Sequence, residues 1–132
     1  MLDSKGTLRI RAYTASGALP IPNAVVRIRG AEELNRLVSY SLLTDRNGIT
    51  EAVTLPAPSL SYSLSPSPAE APYALYDVEI SANGYYSKVI KGISIFSGVN
   101  SVQLANMIPN SGGAQDYPRG NVNTLIPENE SL

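Results

Sequence analysis

Hydrophobic and polar residues alternate with a period of two along much of the chain. Leu8, Ile10 and Ala12 fall on one face of the segment Thr7 to Thr14, with Arg9, Arg11 and Tyr13 on the other. Ala24, Val26 and Ile28 alternate with Val25, Arg27 and Arg29 in the same way. A third strand is predicted over Val38 to Thr44 and a fourth over Ile49 to Leu55, joined by Asp45-Arg46-Asn47-Gly48. Asn-Gly supplies the positive φ of a tight hairpin. The clearest pattern sets Tyr76, Val78, Ile80 and Ala82 against Asp77, Glu79 and Ser81. Asn83-Gly84 turns it into a strand from Tyr85 to Lys91, and Ile93 to Phe96 and Ser101 to Ile108 complete the set.

Turn chemistry fills the gaps. Ser16-Gly17 and Pro20-Ile21-Pro22-Asn23 separate the first two strands, and proline there cannot donate to a ladder. The stretch from Pro56 to Pro72, with five prolines among serines, reads as a long ordered loop passing from one sheet to another. Ala31 to Leu37 is either one short helix or an irregular connection. The count is about seven or eight short strands at a spacing of roughly 8–12 residues, which predicts an all-β Greek-key sandwich. From Pro109 the composition changes, so residues 1–109 are expected to form the sandwich and residues 110–132 a C-terminal tail, flexible or ordered by a partner.

Composition narrows the chemistry. The 132 residues hold 43% hydrophobic and only 16% charged side chains, with a net charge of −1. No strong field points to nucleic acid, and no run is apolar enough to insert in a membrane. The polar N-terminus lacks a signal-peptide core, so a place on a cell or spore surface implies release, another secretion route or an assembled particle. Neither cysteine nor histidine is present. Disulfides, thiolate nucleophiles, Ser-His-Asp triads and Cys- or His-based metal sites are therefore not expected, nor is a cofactor. Gly92-Ile93-Ser94-Ile95-Phe96 ends in Phe where a nucleophile elbow needs Gly, and Asp77 and Glu79 read as surface carboxylates. The chain is accordingly expected not to be an enzyme.

Two surface features remain. Arg9, Arg11, Arg27 and Arg29 point outward at i, i+2 spacing, and would form a guanidinium strip for anions if their strands lay side by side. The competing reading has Asp77, Glu79 or Glu51 answering them across the sheet. The second feature is tyrosine: eight, against one Phe and no Trp. Tyr76 reads as core, while Tyr62, Tyr73 and Tyr85 are candidate contact residues with a rigid apolar body and a polar tip.

The order Pro22-Asn23-Ala24-Val25-Val26-Arg27-Ile28, Leu43-Thr44-Asp45-Arg46-Asn47-Gly48 and Tyr76-Asp77-Val78-Glu79-Ile80-Ser81-Ala82-Asn83-Gly84-Tyr85 resembles the carboxypeptidase-regulatory-like domains. That resemblance implies a transthyretin-like (prealbumin-like) sandwich. Gly6 to Ile10, Leu55 to Pro58, Pro72 to Val78 and Ile95 to Gly98 are similar to an accessory domain of clostridial-type spore cortex-lytic and peptidoglycan-binding proteins. The resemblance implies a non-catalytic accessory module of a cell-wall- or spore-associated system, docking on peptidoglycan, another anionic wall polymer or a partner protein. The alternative is a self-assembling subunit of a surface fibre, spore layer or phage-like particle. Tyr117, Val122, Leu125 and Ile126 would then let the tail join a homo-oligomer as an added strand.

Overall fold

Alternating residues become strands here because each can bury one face against a second sheet. A computed structural model describes residues 2–59 and 71–110, and eight strands lie among them. They are β1 (Ser4–Thr14), β2 (Leu19–Pro20), β3 (Val25–Gly30), β4 (Ser39–Leu43), β5 (Val53–Ala57), β6 (Tyr73–Ser81), β7 (Lys88–Phe96) and β8 (Asn100–Asn106). In the first sheet β1 is central. It pairs in parallel with β8 on one side, and on the other meets β5 and the short β2, both antiparallel. The second sheet is antiparallel throughout, in the order β4-β3-β6-β7. Neighbours distant in sequence, such as β1 with β8 and β3 with β6, give the Greek-key sandwich expected from the pattern.

The inward faces are those the period of two assigns. Leu8, Ile10 and Ala12 from β1 meet Val26 and Ile28 from β3, Tyr76, Val78 and Ile80 from β6, and Ile95 from β7, all buried. Burial of each large side chain contributes roughly 1.5–3 kcal/mol, which is what holds the two sheets together. Tyr76 sits in this core, with its hydroxyl donating to the Pro56 carbonyl at 2.6 Å. No helix among the described residues is long and apolar enough to cross a membrane.

Three local expectations change. Asp45 to Gly48 does not close a hairpin, because β4 pairs β3 while β5 pairs β1 in the other sheet. The segment Thr44 to Thr50 is a corner between sheets, and its buried hydroxyls join it to both. Thr44 Oγ1 accepts from the Ala24 N–H at 2.8 Å and donates to the Ile21 carbonyl at 2.7 Å; Thr50 Oγ1 accepts from the Ile10 N–H at 3.0 Å. The regular strand then starts at Val53 rather than Ile49, which makes only an isolated bridge to Arg11.

The two late strands around Gly92 are instead one. β7 runs unbroken past a bulge where Lys91 and Gly92 together oppose Asp77; Gly92 has φ 72° and donates its N–H to Asp77 Oδ1 at 2.9 Å. Of the two readings left open for Ala31 to Leu37, the irregular connection holds, with a 3-10 turn at Glu33–Asn35. The buried Asn35 side chain fastens it, accepting from the Glu32 N–H and donating to the Leu75 carbonyl.

Candidate functional site

The four outward arginines do not form one strip. β1 and β3 lie in different sheets, so Arg9 and Arg11 are on the outer face of the first and Arg27 and Arg29 on that of the second. Within the second sheet Arg27 stands opposite Glu79 and Arg29 opposite Asp77, giving that face a mixed charge. Asp77 is further engaged by the Gly92 N–H and lies 4.0 Å from Lys91 Nζ. On the first sheet the register partners differ: Arg9 is beside Val102 and Arg11 beside Leu104, both of them about half exposed. The Arg11 guanidinium lies 5.9 Å from the Tyr13 ring centre, a cation–π distance.

The described candidate tyrosines separate to the two ends of the sandwich. Tyr73 opens β6 and packs its ring against Phe96 at 5.4 Å between centres. It borders a recess of about 340 Å³ with Leu2, Glu32, Leu34 and Pro58. Glu32 there is held by structure, since its Oε1 accepts the Leu75 N–H at 3.0 Å. Tyr62, Tyr117, Val122, Leu125 and Ile126 fall outside the described residues.

Tyr85 lines a cleft of about 320 Å³ at the opposite end, with Pro20, Ile21, Pro22, Asn23, Ala82 and Asn83. Each wall has its own anchor. Asn23 is held at φ 60° while its N–H donates to the Thr44 carbonyl at 3.0 Å, so the corner described above sets the Pro20–Asn23 turn. Gly84 supplies φ 86° for the turn out of β6, and Tyr85 N–H closes it on the Ala82 carbonyl at 3.1 Å. The chain beyond β8 clamps that turn from outside: Tyr86 N–H donates to the Ile108 carbonyl, and Asn110 N–H to the Gly84 carbonyl, both at 2.9 Å.

The result is a partly buried phenol ring, two proline faces and two exposed asparagine side chains around one shallow opening. Each amide offers two donors and an acceptor, all uncharged. A lining in which polar groups outweigh the apolar faces of Tyr85 and the prolines suits a neutral polyhydroxylated ligand. Tyr85 stands out in the sequence, whereas Asn23 and Asn83 carry only the signature of turn formers, and nothing local signals that the two turns face each other.

No family model matches the chain, and no curated protein matches it by sequence. Solved structures do match it by shape. It is similar to 3-chlorocatechol 1,2-dioxygenase from Rhodococcus opacus 1CP at 12% identity and TM-score 0.56, over 81% of this chain and 61% of that one. Catechol 1,2-dioxygenase from Acinetobacter sp. ADP1 follows at 16% identity and TM-score 0.52, over 88% and 57%. The Bacillus anthracis TIE protein matches at 18% identity and TM-score 0.49, over 80% and 17%. The chain therefore spans less than two thirds of each of these structures.

The expectation that this chain is not an enzyme is overturned by the two dioxygenases. Both are enzymes, and each shares this fold over most of the present chain. A sandwich is a scaffold whose chemistry resides in the side chains set on it. The fold, together with a lack of histidine and cysteine, thus does not place a chain outside the enzymes. At 12 and 16% identity the likeness is one of fold.

Proposed function

We propose that this sandwich is a binding or accessory module of a cell-wall- or spore-associated system, holding a glycan such as peptidoglycan at its Tyr85 end. The observation that carries the reading is the cleft in which Tyr85 meets Pro20, Pro22, Asn23 and Asn83. A sugar ring presents an apolar C–H face and a rim of hydroxyls. Tyr85 and the prolines match the first, and the amides of Asn23 and Asn83 match the second. The resemblance of Gly6 to Ile10, Leu55 to Pro58, Pro72 to Val78 and Ile95 to Gly98 to a peptidoglycan-associated accessory domain supports the wall setting.

Co-sedimentation with purified peptidoglycan tests this. Tyr85→Ala and Asn83→Ala are each expected to weaken binding roughly tenfold, equivalent to about 1.4 kcal/mol, without loss of fold. Retention of full binding by both variants contradicts the assignment of the cleft. The second reading, a self-assembling subunit, is favoured by a separate observation: β8 leaves one edge of the first sheet open among the described residues.

A further inference from the structure

The first sheet ends in β8 on one side and in β5 and the short β2 on the other, the second in β4 and β7, and these edges are not equally protected. β2 is two residues long and holds Pro20, and β5 holds Pro56; proline offers no N–H to an added strand. β7 carries Lys88, Lys91 and the bulge at Gly92, devices that discourage another strand from pairing. β4 is only five residues long, and on the face beside it Arg27 and Arg29 already stand opposite Glu79 and Asp77. β8 has none of these features. Its seven residues, Asn-Ser-Val-Gln-Leu-Ala-Asn, contain no charge, proline or glycine, and their register with β1 is uninterrupted from Asn100 to Asn106.

The ladder's phase shows which groups face outward. Thr7 N–H donates to the Val99 carbonyl at 3.0 Å, and Met107 N–H to the Tyr13 carbonyl at 2.7 Å. In a parallel pair alternate residues bond the same neighbour, so Ser101, Gln103 and Ala105 direct their backbone groups to β1. Those of Asn100, Val102, Leu104 and Asn106 point to the open edge. The Leu104 carbonyl takes a bond from Gln103 Nε2 at 3.0 Å. The side chains of Val102 and Leu104, 57% and 49% exposed, lie beside Arg9 and Arg11 on the outer face.

We propose that this edge receives residues Asn121–Ile126 of a second copy of the chain as an added strand. The segment Asn-Val-Asn-Thr-Leu-Ile is uncharged, and its apolar side chains suit the exposed Val102 and Leu104. Charge matches as well. Residues 110–132 carry Asp116, Glu128 and Glu130 against Arg119 alone. Two strand spacings separate an added strand from β1, roughly 10 Å, which is about one Debye length at 0.1 M salt. Carboxylates flanking the segment therefore attract Arg9 and Arg11 only weakly at 0.1 M salt and more strongly at lower salt. Ten residues, 111–120, separate Asn110 from the segment. Extended, they span up to roughly 35 Å, well beyond the roughly 13 Å radius of gyration of a domain of about 100 residues. A neighbour is within reach, and each joint leaves a further edge and tail for the next copy.

Light scattering on the full-length protein across a concentration series tests the proposal, which is independent of the glycan cleft. The expected mass rises above the 14.0 kDa monomer as concentration increases. Val122→Asp/Leu125→Asp/Ile126→Asp and Leu104→Pro are each expected to return it to monomer. Proline at 104 removes an N–H that faces the edge and spares the bonds to β1. Should circular dichroism show Leu104→Pro unfolded, Val102→Lys/Leu104→Lys tests the same edge with exposed charges. A monomer at every concentration overturns the proposal. So does association that survives both the tail variant and a folded edge variant.

Discussion

Gly48→Ala is expected to destabilise the fold by about 3 kcal/mol or more, against about 1–2 kcal/mol for Gly84→Ala. Both glycines have left-handed backbone, at φ 77° and 86°, so an added Cβ strains both alike. Their surroundings differ. A Cβ at Gly84 meets nothing within 4 Å, whereas one at Gly48 would lie 2.5 Å from the Ala12 carbonyl oxygen and 3.0 Å from the Ile21 nitrogen. Those two atoms are already bonded to each other at 3.0 Å, and Ala12 N–H donates to the Gly48 carbonyl at 2.8 Å. The corner cannot yield without breaking the bonds that tie it and the Pro20–Asn23 turn to β1. Urea denaturation of both variants measures the difference. Equal costs would mean that the corner does not bear on β1 as described.

The second large effect belongs to Tyr76. Truncation to alanine removes a fully buried ring and is expected to cost about 3–5 kcal/mol. Tyr76→Phe keeps the ring and loses the hydroxyl's interactions with the Pro56 carbonyl and the Asn35 side chain, for about 1–2 kcal/mol. The pair of variants therefore separates packing from hydrogen bonding. Burial pushes the Tyr76 phenol above its ordinary 10.0, outweighing the Asn35 side chain, which pulls the other way. Between 10.0 and the folded value, the unfolded chain has released this proton and the folded chain still holds it. Stability attributable to Tyr76 is thus complete below that range and falls as pH rises through it. Wild type should lose stability above about pH 10 more steeply than Tyr76→Phe. Parallel pH profiles would remove the buried phenol from the account.

How far the sequence reveals the fold follows from what is local. Alternation decides which way a side chain points, and Leu8, Ile10, Ala12, Val26, Ile28, Tyr76, Val78 and Ile80 all face inward as read. Which strands become neighbours is not local. Arg9 and Arg27 occupy similar patterns, yet their strands lie in separate sheets. Asp45-Arg46-Asn47-Gly48 has the chemistry of a hairpin, but Thr44 and Thr50 bury their hydroxyls against different sheets and make it a corner. Gly92 looked like a break between strands because a bulge and a turn both need its positive φ.

The candidate site was legible in the same uneven way. Tyr85 stands out as a large half-polar side chain beside a turn. Its companions Asn23 and Pro22 come from a distant turn, and only the pairing of β3 with β6 brings the two together. Val102 and Leu104 read as ordinary strand residues until β8 is seen to end the sheet.

The claim that the Tyr85 end holds a glycan is tested most directly by a nuclear magnetic resonance titration of the labelled protein with soluble peptidoglycan fragments. Saturable shifts are expected to concentrate at the amides of Ile21, Asn23, Ala82, Asn83 and Tyr85, with the outer faces of both sheets unchanged. No shift at saturating fragment, or shifts centred on Arg9, Arg11, Val102 and Leu104 instead, would contradict it.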